Sequence, residues 1–287
     1  MSDATLPITY SIVGVQKAAT STLFSLLVRH DEVARPAHKE LHVFDDERRD
    51  WSAPDLSDYR ARVTKPEQRI AGDSTPSYLY WPKALERMRA HNPDMLLIAS
   101  FRDPIERAFS HWMMQVTRRG KRSDTFPDFD SLVRDWSPPG IPEVKPDDWS
   151  TSQLRNFTAV ARGFYGRQLE RGLAQFPREQ WLLIDFIDVV RDEAAVASRL
   201  TDFLGLSPYG PIPPDLRRHP TPAVTDRTGP SAEVLQVLAE RYADDLALFE
   251  RLSGLDTSAW PTRRLLDGDL DASELAEKLG RKAAQAG

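Results

Sequence analysis

The sequence predicts an α/β fold, a three-layer sandwich around a central parallel sheet of about five strands. Short apolar runs alternate with amphipathic segments along the 287 residues. The runs at 95–101 and 181–187 are apolar at nearly every position, which is typical of parallel strands that are buried on both faces. A third strand, around Ile12 and Val13, leads through a short turn into a helix. In such sheets ligands bind beyond the carboxyl ends of the strands.

The segment 10–27 is predicted to form a P-loop-like turn between this strand and its helix, in which three leucines recur at helical spacing. Backbone N–H groups and the positive end of the helix dipole meet at such a turn, and anions bind there. Lys17 adds a cation, and the hydroxyls at positions 20–22 add donors. The spacing differs from the G-x-x-x-x-G-K-[ST] phosphate loop, and an ordinary turn with a solvated lysine has the same pattern.

The remaining elements are predicted from apolar periodicity and from the positions of proline and glycine. After the first helix we expect a short strand near Val33, a charged loop at 39–45, a short helix at 55–62, a strand ending in a turn at 69–78, and a helix from Pro82 to about His91. Further helices are expected at 105–118, 151–161, 165–175, 193–204, 232–252 and 272–285. The proline-rich segment 119–150 is expected to be an irregular insertion. One domain is expected over residues 1–260, followed by a helical tail at 261–287.

The composition excludes several classes of function and leaves the oligomeric state open. A formal net charge of −5 argues against a general nucleic-acid binder. The absence of cysteine excludes disulfides, thiolate metal sites and cysteine nucleophiles. His30, His91 and His111 have no potential ligands at metal-binding spacing, so no metal is expected. Because no apolar run is long enough to span a membrane and the N-terminus lacks a signal sequence, the expected location is cytoplasmic.

A second candidate anion site begins at Arg102, which directly follows the strand at 95–101. A guanidinium group can bind a phosphate with two parallel hydrogen bonds, and Ser110 on the next helix is a plausible partner. A structural ion pair of Arg102 with Asp103 or Asp73 is the alternative, and Arg107 is expected to be an ion-pair residue on the helix face. Lys17, the charged loop, the turn at 73–78 and Arg102 all follow predicted strands, so we expect them to converge on one cleft.

Two separated anion sites suggest a nucleotide with phosphates at both ends, and here the sequence resembles a known family. It is similar to the sulfotransferases that use 3′-phosphoadenosine 5′-phosphosulfate (PAPS), nearest to the glycosaminoglycan (heparan sulfate) branch and its bacterial-type relatives. Residues 13–23 resemble the loop for the 5′-phosphosulfate, and 102–110 resemble the R-[ND]-P-x-x-R-x-x-S motif for the 3′-phosphate. Residues 39–45 resemble a K-E-x-H-x-F-D element, and 75–78 form a T-P-S-Y turn. The resemblance covers about residues 9–252.

The resemblance implies a role for each motif in sulfuryl transfer from PAPS, without a metal. Lys17 would stabilise the leaving phosphate, and Glu40 would be the general base, with His42 as the alternative base. The other residues of the donor site would be Ala18, Ala19, Thr20, Ser21, Thr22, Arg102 and Ser110, with Arg218 and Arg227 in a late loop over the nucleotide. The acceptor would be bound by Lys39, His42, Asp45, Tyr78 and Tyr165, with the insertion 119–150 on the acceptor side.

The sequence departs from the family pattern at two places. Ala18 and Ala19 stand where the family often has glycines, so we expect no positive φ there. Ser74 stands where a lysine often precedes T-P, which argues against a highly sulfated polymer as the acceptor. The expected acceptor is a hydroxyl of a small molecule, a glycoside or a carrier-tethered intermediate. Two alternatives stay open: a kinase with an atypical phosphate loop, in which Asp73 would hold magnesium, and a non-catalytic nucleotide-binding scaffold.

Overall fold

The computed structural model describes residues 4–119, 126–136, 158–210 and 229–285. These residues form two compact units. The sheet unit comprises the described residues up to 101 and those from 171 to 210, and the helical unit comprises those of 102–170 and 229–285. The chain therefore divides directly after residue 101 and again after residue 170.

The sheet unit contains the predicted parallel sheet. The strands of the described residues are β1 Thr5–Pro7, β2 Tyr10–Gly14, β3 Val33–Ala34, β4 Arg60–Arg62, β5 Ile70–Asp73, β6 Leu96–Phe101 and β7 Trp181–Asp185. Five of them pair in parallel in the order β3-β5-β2-β6-β7, and β1 pairs with β4 in a separate antiparallel ribbon. The prediction of a central five-stranded parallel sheet flanked by helices is confirmed.

The short helices at 129–134, 186–191 and 261–267 were not predicted, and the first of them lies inside the segment expected to be irregular, whereas the other helices follow their predicted bounds closely. The described residues contain ten α-helices. They are α1 Thr20–Val28, α2 Ala84–His91, α3 Pro104–Arg119, α4 Phe129–Arg134, α5 Tyr165–Gln175, α6 Phe186–Arg191, α7 Glu193–Leu204, α8 Ala232–Ser253, α9 Pro261–Asp267 and α10 Ala272–Gln285. No helix within the described ranges is long and apolar enough to cross a membrane. The expected helix at 151–161 lies mostly outside the described residues, as do the segment 137–150 and the two late-loop arginines.

The core of the sheet unit forms because alternate residues of each strand face the same helices. Tyr10, Ile12, Ile98 and Ile184 from three adjacent strands pack in one buried cluster with leucines of α1 and α7. A β-carbon built on Gly72 would lie 2.0 Å from the ring of Tyr10, so the neighbouring strand approaches too closely for any side chain at that position.

The core of the helical unit includes the C-terminal helix. Leu275, Leu279 and Ala283 of α10 are buried in the same cluster as Ile105 of α3 and Leu238 of α8. Their spacing of four residues places them on one face of the helix. The segment 261–285 is therefore part of this unit.

Two local predictions are wrong. The segment 55–62, expected to be a helix, is instead a turn followed by β4. In β4 the buried Ala61 lies between two exposed arginines, and this alternation with a period of two is typical of a strand. The strand predicted at 181–187 ends at Asp185. The Asp185 carboxylate accepts a hydrogen bond from the Ile187 backbone N–H at 3.0 Å and so begins α6.

Candidate active site

The turn after β2 has the backbone geometry of an anion-binding turn. Lys17 and Ala19 lie in the left-handed region, with φ of 75° and 59°. The expectation of no positive φ at the alanines is therefore wrong for Ala19. An L-residue in this conformation costs roughly 1–2 kcal/mol, which is the reason that glycine is common at such positions.

The N-terminus of α1 is open to an anion. Its N-cap, Ala19, has no side-chain acceptor, and the first turn contains no acidic residue. The first backbone N–H groups of a helix have no acceptor within the helix, so those near Thr20 and Ser21 can donate to a bound group. Ala18 does not contribute in this way, because its side chain is buried and its N–H donates to the Val15 carbonyl at 3.2 Å.

A row of charged side chains forms a network on the loop after β3. The Lys39 Nζ lies 3.1 Å from Glu40 Oε1, and His42 Nε2 lies 3.3 Å from Glu40 Oε2. On the other side of the imidazole, His42 Nδ1 lies 2.9 Å from Asp45 Oδ2. His42 itself has a φ of 52°, in the left-handed region that non-glycine residues rarely adopt. The predicted residues Lys39, Glu40, His42 and Asp45 are therefore brought together.

The charge state of Glu40 is set by its neighbours. Burial raises the pKa of the Glu40 carboxyl, but the hydrogen bond from His42 and the charge of Lys39 lower it more strongly, to about 2. The side chain is 43% exposed, whereas Asp45 is buried. Glu40 is thus an ionised carboxylate that can be reached by a bound molecule, and Asp45 acts behind it by holding His42.

The turn after β5 holds this loop in place through its backbone. The Thr75 hydroxyl accepts from the Leu41 N–H at 3.1 Å and donates to Asp73 Oδ1 at 2.9 Å. The Ser77 hydroxyl donates to Asp45 Oδ2 at 2.5 Å. These positioning contacts were not assigned from the sequence, although the T-P-S-Y motif that carries them was recognised as a motif.

Two residues predicted to bind the acceptor are buried. The Tyr78 hydroxyl accepts from the Val43 N–H at 3.0 Å, so Tyr78 fixes the backbone of the charged loop. The Tyr165 hydroxyl donates to the Arg102 carbonyl at 2.9 Å inside the helical unit. Because neither ring has exposed surface at the position expected for an acceptor, we correct both assignments to positioning roles.

Asp73 is not presented as a magnesium ligand. Its carboxylate is fully buried, and Oδ2 accepts from the Tyr59 hydroxyl at 3.3 Å while Oδ1 accepts from Thr75. Burial raises the pKa of Asp73 to about 6, although these hydrogen bonds act in the opposite direction. In the described part of the chain, no group of three or more His, Asp or Glu side chains is arranged to hold a metal ion.

The second anion site lies in the helical unit, at the start of α3. Arg102 and Ser110 are both largely buried. Arg102 Nη2 donates to Glu106 Oε2 at 2.8 Å, an ion-pair partner that was not considered from the sequence. Arg107 was expected to be an ion-pair residue on the helix face, but it is fully buried and donates to the Ala159 carbonyl.

The N-terminus of α3, unlike that of α1, is capped by a side chain. Asp103 Oδ1 accepts from the Glu106 N–H at 2.8 Å, and Oδ2 accepts from the Thr262 N–H of α9 at 2.7 Å. Burial and then the charge of Glu106 raise the pKa of Asp103 to about 6. An anion bound beside Arg102 would therefore be held by side chains rather than by the helix end.

Comparison with known proteins gives two kinds of likeness. Heparan sulfate glucosamine 3-O-sulfotransferase 3B1 of Homo sapiens is 31% identical over 196 residues, which are 68% of this chain and 45% of that protein. Heparan sulfate glucosamine 3-O-sulfotransferase 5 of Mus musculus is 27% identical over 198 residues, 69% of this chain and 53% of that protein. The chain thus spans about half the length of the curated relatives that it matches. No family model matches it.

The solved structures give the second likeness. A sulfotransferase from Alicyclobacillus acidocaldarius superposes with a TM-score of 0.65 and 25% identity, over 88% of this chain and 98% of that chain. The fold, the motifs and these similarities together support assignment of the chain to the sulfotransferase family, which the sequence resembles. Within that class the likeness is to the heparan sulfate branch, with bacterial relatives.

Proposed function

We propose that the chain transfers a sulfuryl group from PAPS to a hydroxyl of a carbohydrate or small-molecule acceptor. The observation that carries this proposal is the contact chain Glu40–His42–Asp45, with an ionised Glu40 at its exposed end. The loop that bears it packs on the turn after β5, and β5 is the neighbour of β2, the strand that leads to Lys17. A base and a cation thus belong to the same edge of the sheet.

The residues present fit the two charged ends of the donor. The open N-terminus of α1, with Lys17 and the hydroxyls of residues 20–22, suits the 5′-phosphosulfate. Arg102 and Ser110 suit the 3′-phosphate, and Arg218 and Arg227 stay candidates for closing over the nucleotide. The donor, when bound, supplies the sulfuryl group.

The chain's own residues would then supply charge balance and proton removal. Glu40 would take the proton from the acceptor hydroxyl through a carboxylate oxygen, a step that typically contributes 10²–10⁴-fold. His42 would fix the orientation of that carboxylate, and Asp45 would fix His42. Lys17 would balance the negative charge that develops on the leaving phosphate, in the manner of phosphoryl transfer enzymes.

The acceptor is expected to carry less negative charge than a highly sulfated polymer. Ser74 is fully buried, so the position where the family often has a lysine presents no cation at this edge of the sheet. A cytoplasmic location also stays a prediction.

Calorimetric titration with adenosine 3′,5′-bisphosphate tests the donor site on the wild type, Arg102→Ala and Glu40→Gln. We expect the wild type and Glu40→Gln to bind the bisphosphate without magnesium, and Arg102→Ala to lose most of that affinity. Glu40→Gln should also abolish transfer from PAPS to a hydroxyl acceptor, because the amide cannot take up the proton. ATP binding that requires magnesium, with no preference for the 3′-phosphate, would favour the kinase instead. Binding of neither nucleotide would favour the scaffold.

A further inference from the structure

The start of α3 and the C-terminal helix α10 bring four charged side chains together in the helical unit. Glu106 accepts a hydrogen bond from Arg102 at 2.8 Å through Oε2 and another from Lys278 at 2.9 Å through Oε1. Lys282 lies four residues beyond Lys278 and therefore on the same face of α10. Its ammonium is close enough to Arg102, Glu106 and Lys278 for their charges to act on it.

The packing of α10 holds both lysines in this position. Leu275 and Leu279 are buried in the core of the helical unit, together with Ile105 of α3. Each lysine follows one of these leucines by three residues, so it lies beside the buried stripe and along the edge that faces α3. The lysines are consequently presented at the start of α3 by a fixed helix.

The cluster carries more positive than negative charge. Arg102, Lys278 and Lys282 are cationic, whereas Glu106 and the neighbouring buried Asp103 are carboxylates, which leaves a local positive excess on a chain whose formal net charge is −5. The Lys282 side chain is exposed, and its partial desolvation, followed by the charge of Arg102, lowers the pKa of its ammonium to about 8. A phosphate monoester, with a charge of nearly −2 at neutral pH, is attracted by this positive excess.

We propose that Lys282, supported by Lys278, joins Arg102 in the site that binds the 3′-phosphate of the nucleotide, so that α10 determines specificity for a 3′-phosphorylated donor. This inference rests on the proposed function, and it assigns a binding role to a helix that lies beyond the segment resembling the family. Because Asp103 already caps α3, specificity for the phosphate would come from these side chains.

The test compares Lys282→Gln with Arg281→Gln, which removes the same charge from the next position. Arg281 is 62% exposed and pairs with Glu277 on the solvent side of α10. Calorimetry measures binding of adenosine 3′,5′-bisphosphate and of adenosine 5′-phosphate to each protein. We expect Lys282→Gln to lose about tenfold in affinity for the bisphosphate, the effect of one hydrogen bond to a charged group, and none for the monophosphate. Arg281→Gln should match the wild type for both ligands.

A second measurement detects the lysine directly. At about pH 8.5 part of Lys282 is neutral while the phosphate is fully ionised, so binding of the bisphosphate should draw a proton onto Lys282. Titrations in two buffers of different ionisation enthalpy should show this proton uptake in the wild type and its loss in Lys282→Gln.

The outcomes separate this inference from the proposed function. A wild type that prefers the bisphosphate, together with an unchanged preference and proton uptake in Lys282→Gln, would overturn the role of α10 and leave the proposed function standing. An equal loss of affinity for both nucleotides would also overturn the role in 3′-phosphate specificity. A wild type without preference for the bisphosphate would contradict both proposals.

Discussion

Ala18 and Ala19 are adjacent in the turn before α1, and their backbones differ. Ala19 has a φ of 59°. Ala18 does not have a positive φ, and its side chain is fully buried. Glycine relieves the left-handed strain of roughly 1–2 kcal/mol but gains conformational freedom in the unfolded chain. We therefore expect Ala19→Gly to raise the free energy of unfolding by up to about 1 kcal/mol.

Ala18→Gly is the matched control for this prediction. It removes a buried methyl group and adds unfolded-state freedom, so it should lower the free energy of unfolding by about 1–2 kcal/mol. Urea denaturation measures both variants. Equal losses in the two variants would contradict the left-handed conformation at Ala19.

Single residues also mark the limit of the sequence analysis. The resemblance of residues 39–45 to the K-E-x-H-x-F-D element identified Glu40 as the candidate base, because the motif is carried by residue types and spacing that the sequence shows directly. The roles of Tyr78, Tyr165 and Arg107 could not be predicted in the same way. Aromatic rings and guanidinium groups occur both in cores and in binding sites, and only burial distinguishes the two.

At the scale of elements, the loop that carries the candidate base is anchored to α2. Arg87 donates to both carboxylate oxygens of Glu47, at 2.9 Å and 2.6 Å, and to the Phe44 carbonyl at 2.9 Å. The Trp81 indole donates to the same carboxylate at 2.5 Å, and the Arg87 guanidinium stacks over Trp51 at 4.1 Å from the ring centre. Glu47 thus fixes the part of the loop just after the Glu40–His42–Asp45 network.

We expect Glu47→Gln to lower kcat/KM for sulfuryl transfer roughly tenfold or more, because small displacements of a positioned base are costly. Binding of adenosine 3′,5′-bisphosphate should stay unchanged, since Glu47 lies on the base-bearing loop. Arg48→Ala is the control, as Arg48 is 86% exposed and its pair with Asp46 should contribute little. Full activity of Glu47→Gln, or an equal loss in Arg48→Ala, would show that the anchor does not position the base.

Elements with strong end signals were predictable, and short ones were not. The helices at 193–204 and 232–253 match the predicted bounds to within a residue, because a long apolar period ends at Gly205 or Gly254, both in the left-handed region. The three-residue strands β1 and β4 carry too few residues for a period of two to be distinguished from a turn. Their pairing depends on contacts between distant parts of the chain.

For the whole molecule, the parallel sheet could be predicted from the alternation of strands and helices, whereas the order of its strands and the division into units could not. Alternating strands and helices imply a parallel sheet, in which ligand-binding residues follow the strands at one edge. Lys17 and the charged loop both follow strands, so they could be assigned to neighbouring positions at that edge. The division after residue 101 depends instead on which helices share a core. An amphipathic pattern shows that a helix such as α10 has a buried face, but it does not identify the partner of that face.

The pH dependence of stability tests the interior of the sheet unit as a whole. Burial raises the pKa of Asp73 from 3.8 to about 6, so the folded protein binds this proton more tightly than the unfolded chain does. As pH rises through this window, the free energy of unfolding should therefore fall, by at most ~3 kcal/mol from this group. Asparagine does not titrate and can still accept from Thr75 and Leu41.

We therefore expect Asp73→Asn to gain stability relative to the wild type as the pH is raised from about 4 to about 7, measured by urea denaturation at each pH. Asp50→Asn should change in the opposite direction, because the hydrogen bonds from Ser52 lower the pKa of Asp50 and its stabilising contribution is present only above that pKa. A constant difference between wild type and Asp73→Asn across the window would mean that Asp73 titrates normally. The carboxylate would then be hydrated rather than enclosed beneath the T-P-S-Y turn, and that turn could not hold the charged loop as the structure indicates.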